Sequence, residues 1–224
     1  AKAQRALGRI DDAIAQLGEA FKLDPKRIDI ALELARTYQN AGRDDQAIAA
    51  YDKLIASPEA TSVVRVIAGR YFAKRGLIDK AAALADPILK ADPTDPGGQY
   101  LRAEGAMKAG KWPEARSDLT KATEAEPDNA QYLEALGRAF EGSFRADKDT
   151  KFIEGARNAY ERASKVDPKL IPALVGQGRM LVARKDHEPA LTPLLAASAL
   201  DKANSEIMYY TGLAYFGLRN AEAQ

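Results

Sequence analysis

Cysteine is absent from the 224 residues, and histidine and tryptophan occur once each, as His187 and Trp112. The first absence removes disulfides, thiolate metal sites and cysteine nucleophiles, and it leaves the compartment open. A single imidazole excludes a histidine metal cluster or a relay that needs two rings. No stretch approaches the roughly 18 consecutive apolar residues of a membrane span. The opening residues "AKAQRALGRI" also lack the apolar core of a signal peptide, so no membrane insertion is expected. Neither sign of charge is in excess: 33 Lys and Arg stand against 32 Asp and Glu. A chain so balanced has no general field for nucleic acid, and no nucleic-acid partner is expected.

Catalytic motifs are missing as well. A phosphate loop fails in "GAMKAGKW", where Trp112 stands in place of the hydroxyl residue that would hold Mg²⁺. "GQGRML" lacks the third glycine of a dinucleotide fingerprint. His187 lies in the polar stretch "RKDHEP" and is expected to be a solvated surface residue. The paired carboxylates Asp11 and Asp12, and Asp44 and Asp45, precede apolar helical stripes. They are read as helix caps and first-turn anions rather than as acid–base pairs. No catalytic residue, cofactor or metal is assigned.

What the chain does contain is a period. "GRIDDAIAQL", "GRDDQAIAAY", "GLIDKAAALA" and "GKWPEARSDL" begin at Gly8, Gly42, Gly76 and Gly110, each 34 residues after the last. Apolar residues recur at helical intervals within each unit, as in Leu34, Ala35 and Tyr38 followed by Ala47, Ala50, Tyr51 and Leu54. Strand-type alternation does not occur. Each unit therefore reads as two antiparallel helices turning at the glycine, and a proline such as Pro25, Pro93, Pro127 or Pro168 closes the second one.

These residues resemble the tetratricopeptide repeat family, and the resemblance covers nearly the whole chain. It rests on a small residue in the first helix, at Ala35, Gly69, Ala103, Gly137, Gly178 and Gly212. It rests equally on an early alanine in the second, at Ala13, Ala47, Ala81, Ala115, Ala156 and Ala190. Bulky residues follow four places after that alanine at Leu17, Tyr51, Leu119, Tyr160 and Leu194. The family's tryptophan is missing from every unit. The resemblance implies an all-α, right-handed solenoid of antiparallel helix pairs with about 6 to 6.5 repeats. It would form one repeat domain over 1–224, in units 1–27, 28–61, 62–95, 96–129, 130–170, 171–204 and a partial 205–224. Packing at the small positions predicts that Ala47→Leu destabilises, while an exposed change such as Gln39→Ala does not.

Departures from the period carry their own expectations. The unit ending at Pro168 is seven residues too long, all within 137–156, which suggests a lengthened corner and a second helix capped by Asp149 or Thr150. Pro87 lies inside a second helix and should kink it. The incomplete units at either end suggest a segment of a longer array, whose aromatic last helix around Tyr209, Tyr210, Tyr215 and Phe216 is open to self-association.

In the family, first helices line a concave surface. Carried over place by place, its ninth position reads Lys2, Arg36, Arg70, Glu104, Arg138, Arg179 and Leu213, with Tyr100, Met107 and Tyr209 among the neighbouring places. The implied function is a protein-interaction scaffold, not an enzyme. Its groove, with Arg36, Arg70, Tyr100, Met107, Arg138, Arg179 and Tyr209 as partner-binding residues, would take a protein or peptide segment of acidic character with apolar anchors. A solvated face is the competing reading of the arginines, since Glu134 and Glu141 are spaced to pair with Arg138. A non-catalytic array within a larger enzyme or secretion machine, or an element that stacks end to end, is the alternative function.

Overall fold

The computed structural model describes residues 2–222, with side chains for 8–220. The described residues form thirteen helices and no strand. They are α1 (Lys2–Leu23), α2 (Ile28–Asn40), α3 (Asp44–Ala56), α4 (Ser62–Lys74), α5 (Ile78–Ala83), α6 (Ala85–Ala91), α7 (Pro96–Lys108), α8 (Trp112–Ala125), α9 (Ala130–Asp147), α10 (Lys151–Val166), α11 (Ile171–Ala183), α12 (His187–Leu200) and α13 (Ser205–Glu222). They gather into two compact units, residues 1–88 and 89–224.

The 34-residue period is a repeated corner. Gly42, Gly76 and Gly110 all adopt the left-handed conformation, with φ of 69°, 75° and 72°. At each, the next amide reaches back to the carbonyl five residues earlier: Arg43 to Tyr38, Leu77 to Phe72 and Lys111 to Ala106, each at 2.9 Å. This is the Schellman closure, which needs a residue at positive φ just past the helix end. The same closure ends α11, where Asp186 N–H donates to the Leu181 carbonyl at 2.9 Å. There the residue at positive φ is Lys185, at 68°.

The corner expected at Gly8 does not form, and α1 runs straight through it. Among the described residues no helix folds back on it here, and the alanine at position 13 is exposed, unlike Ala47, Ala81, Ala115, Ala156 and Ala190, which are fully buried. Asp11 and Asp12 consequently sit inside a helix rather than at its start, and Asp11 pairs with Arg43.

In unit 1, the rings of Tyr51, Tyr71 and Phe72 cluster, Tyr51 lying 5.1 Å from Tyr71 and 6.2 Å from Phe72. Tyr51 donates to Gln39 Oε1 at 3.0 Å, so Gln39 has a structural partner and is not the neutral control position expected of it. Pro87 breaks its helix as anticipated: α5 and α6 are separated at Leu84, beside the carbonyl of Ala83 that the proline nitrogen cannot serve.

Unit 2 shows how the small positions work. A β-carbon added to Gly137 of α9 would lie 2.6 Å from the Tyr160 ring of α10, and one added to Gly178 of α11 would lie 2.4 Å from Leu194 of α12. The bulky residue of each second helix fills the space a side chain would take. Tyr160 is enclosed on its other side too, 2.6 Å from a β-carbon placed on Gly176 of α11. Two further glycines receive the first residue of an earlier helix: Gly142 takes Trp112, and Gly217 takes His187. His187 therefore packs against α13 with a buried Nδ1, contrary to the solvated role its polar neighbours suggested.

The seven extra residues lengthen the two helices and leave the number of corner residues unchanged. α9 is five residues longer than α2, α4, α7 and α11, and α10 is two longer than α8 and α12. The corner between them keeps three residues, with Lys148 at φ 58° and Asp149 Oδ1 accepting from the Lys151 amide at 3.0 Å.

Lys185 carries a β-carbon in a conformation glycine adopts without cost. Replacing it, Lys185→Gly, is expected to raise unfolding free energy by about 0.5–1 kcal/mol in urea denaturation, because the steric cost outweighs the extra unfolded-state entropy of glycine.

Candidate functional site

The ninth places of the first helices do not form a row of free arginines. In unit 2 they alternate with acids of the neighbouring helices. Arg138 of α9 reaches Glu104, the ninth place of α7, at 2.5 Å and also Glu134, one turn back on its own helix, at 3.1 Å. Arg179 of α11 reaches Glu141 of α9 at 2.5 Å and pairs with Glu206 of α13. Glu141 further accepts from Arg145 at 2.6 Å and from the Tyr160 hydroxyl at 2.9 Å. The acids are the more enclosed partners: the side chains of Glu104 and Glu141 are 4% and 5% exposed, against 39% for Arg138.

Burial and pairing pull these groups in opposite directions. Burial works to lower the Arg138 pKa, but the Glu134 and Glu104 carboxylates outweigh it and hold the guanidinium above its ordinary range. Arg179 is held up in the same way, with Glu141 the main counterweight to burial. Burial pushes the Glu134 carboxyl upward, opposed by Arg138. The Tyr160 phenol is raised first by burial and then by Glu141, and that of Tyr100 by burial and Glu104. A buried carboxylate is tolerable only while its cation is present. These arginines are therefore committed to the fold.

The remaining predicted residues are placed differently. Tyr100 and Met107 of α7 are buried, Tyr100 stacking on Tyr132 at 5.2 Å. Tyr209 of α13 is exposed, its ring 5.1 Å from that of Tyr210. Arg70 of α4 is half-buried and has interactions of its own. Arg36 of α2 is exposed and makes no hydrogen bond or ion pair among the described residues. The Lys2 side chain lies outside the described residues.

Unit 1 also holds a cleft that the spacing argument did not find. It measures about 260 Å³ between the end of α1 and the paired helices α2 and α3, and Phe21, Ile28, Leu34, Tyr38 and Leu54 form its apolar wall. Ala49 and Lys53 of α3 also line it. It opens on the first, fourth, seventh and eleventh places of α2, a different face from the one carrying Arg36. Among the described residues no group of three or more His, Asp or Glu is arranged to hold a metal, and no helix is long and apolar enough to cross a membrane.

Two family models described as tetratricopeptide repeat match residues 4–63 and 100–147. Among solved structures, MamA residues 41-end from Desulfovibrio magneticus RS-1 is 19% identical, with a TM-score of 0.55 over 80% of this chain and 98% of that one. The APC/C hetero-tetramer Cut9-Hcn1 gives a TM-score of 0.76 at 17% identity, covering 93% of this chain and 40% of that one. YrrB, described as a TPR protein with an unusual peptide-binding site, is 15% identical with a TM-score of 0.52, over 88% and 97% of the two chains. Comparison with curated proteins gave no match. Both matched stretches are thus tetratricopeptide repeats, and the chain, with its repeated corners and glycine slots, has that family's all-α solenoid fold. Such repeats in general mediate protein–protein interactions and act as non-catalytic scaffolds.

The ladder separates two arginines that look alike in sequence. Arg179→Glu sets a third carboxylate against Glu141 and Glu206 and should cost about 3 kcal/mol or more. Arg36→Glu should stay within about 0.5 kcal/mol, and urea denaturation of both variants checks the contrast. Alkali should also unfold the chain early. The Tyr71 phenol is pushed up to about 12 by burial and by its hydrogen bond to Asp44. Tyr51, Tyr100 and Tyr160 are raised as well, each chiefly by burial. An unfolded phenol ionises near pH 10, so this stability is complete below about pH 10 and is lost as pH climbs toward 12. Urea midpoints at pH 8 and pH 11 would show the loss.

Proposed function

We propose that the chain is a docking scaffold for a segment of a partner protein, one that sets carboxylates between apolar anchors, and that unit 1 is where the segment is read. The carrying observation is that α2 has, on one face, an exposed Arg36 with no hydrogen bond or ion pair among the described residues and, on another, the wall of an apolar cleft. At about 260 Å³ the cleft is smaller than most sites for small molecules and suits one or two side chains of a protein ligand. Lys53 at its edge adds a second cation for an acidic segment. The resemblance to YrrB, a repeat protein described by its peptide-binding site, supports the same class of ligand.

The division of labour follows from magnitudes. An exposed ion pair contributes up to about 1 kcal/mol, whereas each large apolar side chain taken out of water contributes about 1.5–3 kcal/mol. Anchors in the cleft then carry affinity, and Arg36 and Lys53 carry orientation and association rate. Arg138 and Arg179 keep unit 2 in shape and are not offered to the ligand.

Peptide display on the immobilised chain should enrich sequences pairing Leu, Ile or Phe with Asp or Glu, and their binding should weaken as salt rises. Ala49→Glu, at an exposed position on the cleft wall, should remove binding without unfolding the chain, and Arg36→Glu should weaken it several-fold. Enrichment of basic sequences, or binding indifferent to both changes, would refute the reading.

A further inference from the structure

Two faces of this chain, one at each end, are the separated halves of a contact that the fold builds elsewhere. The template is the pair α9 and α10. There Leu133, Gly137 and Phe140 of α9 meet Ile153, Ala156, Tyr160 and Ala163 of α10, and all but the glycine and the partly buried Phe140 belong to one buried cluster. α13 has the same 18-residue length as α9 and repeats its face 75 positions later, as Met208, Gly212 and Tyr215. That face is open. Met208 is 64% exposed, Tyr215 is 52% exposed, and nothing lies within 4 Å of a β-carbon placed on Gly212.

The other half is on α1. Its last 16 residues, from Gly8 to Leu23, match α10 in length and carry Ile10, Ala13, Leu17 and Ala20 at the places of Ile153, Ala156, Tyr160 and Ala163. In α10 those four are at most 3% exposed, because α10 is packed against both α9 and α11. α1 packs on α2, and on its other side Ala13 is exposed while Ile10, Leu17 and Ala20 are only partly covered. Among the described residues, then, the first-helix face of α13 meets no filler and the second-helix face of α1 meets no slot.

We propose that the chain associates head to tail with a second copy of itself: α1 of one copy lies antiparallel along α13 of the next, Leu17 filling the slot over Gly212 as Leu194 fills that over Gly178. The occupant is a second copy because its matching face, in spacing and residue size, is present in this chain. The contact joins unlike surfaces, so it can propagate into longer assemblies instead of closing as a symmetric dimer. None of Ala13, Leu17, Met208 and Gly212 lines the cleft beside α2, and either reading can fail alone.

The test is sedimentation of the full chain from low micromolar to sub-millimolar concentration, with two variants at exposed positions. The wild type should gain mass steadily beyond a dimer. Ala13→Glu, which spoils the α1 face, and Met208→Glu, which spoils the α13 face, should each remain monomeric, with unchanged helical circular dichroism. Mixed in equal amounts, the two variants retain one good face of each kind and should form a one-to-one dimer that grows no further. A wild type that stays monomeric throughout, self-association of Ala13→Glu through its intact α13, or a mixture that stays monomeric would each overturn the proposal.

Discussion

The contact between a residue with almost no side chain on one helix and a bulky residue on the next governs this fold. Gly137 against Tyr160 and Gly178 against Leu194 bring backbone and side chain closer than any β-carbon would permit. Helix propensity would place neither glycine mid-helix, where it costs about 1 kcal/mol relative to alanine. The cost is offset by complete burial of the ring or isobutyl group it receives. Every first helix from α2 to α11 is followed within two residues by one at positive φ, and this turn brings slot and filler together.

A second constraint, electrostatic, acts on the first helices of unit 2. Glu104 and Glu141 are nearly out of solvent, and Arg138 and Arg179 of the following helices neutralise them. This ties each helix to the preceding one with a directional contact that apolar packing lacks. It also commits those arginines to the fold, whereas Arg36 of unit 1 pairs with no acid among the described residues.

Much of this was legible in the order of residues. The 34-residue spacing of Gly42, Gly76 and Gly110 marked three corners because only a residue tolerant of positive φ closes a helix that way. The fourth was hidden, since Lys185 occupies it with a side chain. Gly8 misled for the opposite reason: glycine permits a turn without requiring one, and α1 continues through it. The Arg138 pair had a visible signal, an opposite charge at the same place one unit earlier in Glu104. The partners of Arg179 lie 38 residues before and 27 after it, off the period, because Glu141 and Glu206 stand at the twelfth and second places of their helices and Arg179 at the ninth of its own. The cleft beside α2 was not legible at all, as it depends on where the end of α1 comes to rest.

Exchanging knob and hole measures the central contact directly. Gly178→Leu should destabilise by about 3 kcal/mol or more when Leu194 is present, through overpacking with no room to shift. In the background of Leu194→Ala, which vacates the space, the same change should cost much less, giving a coupling of about 1.5 kcal/mol or more in a double-mutant cycle. Additive effects of the two substitutions would contradict the account.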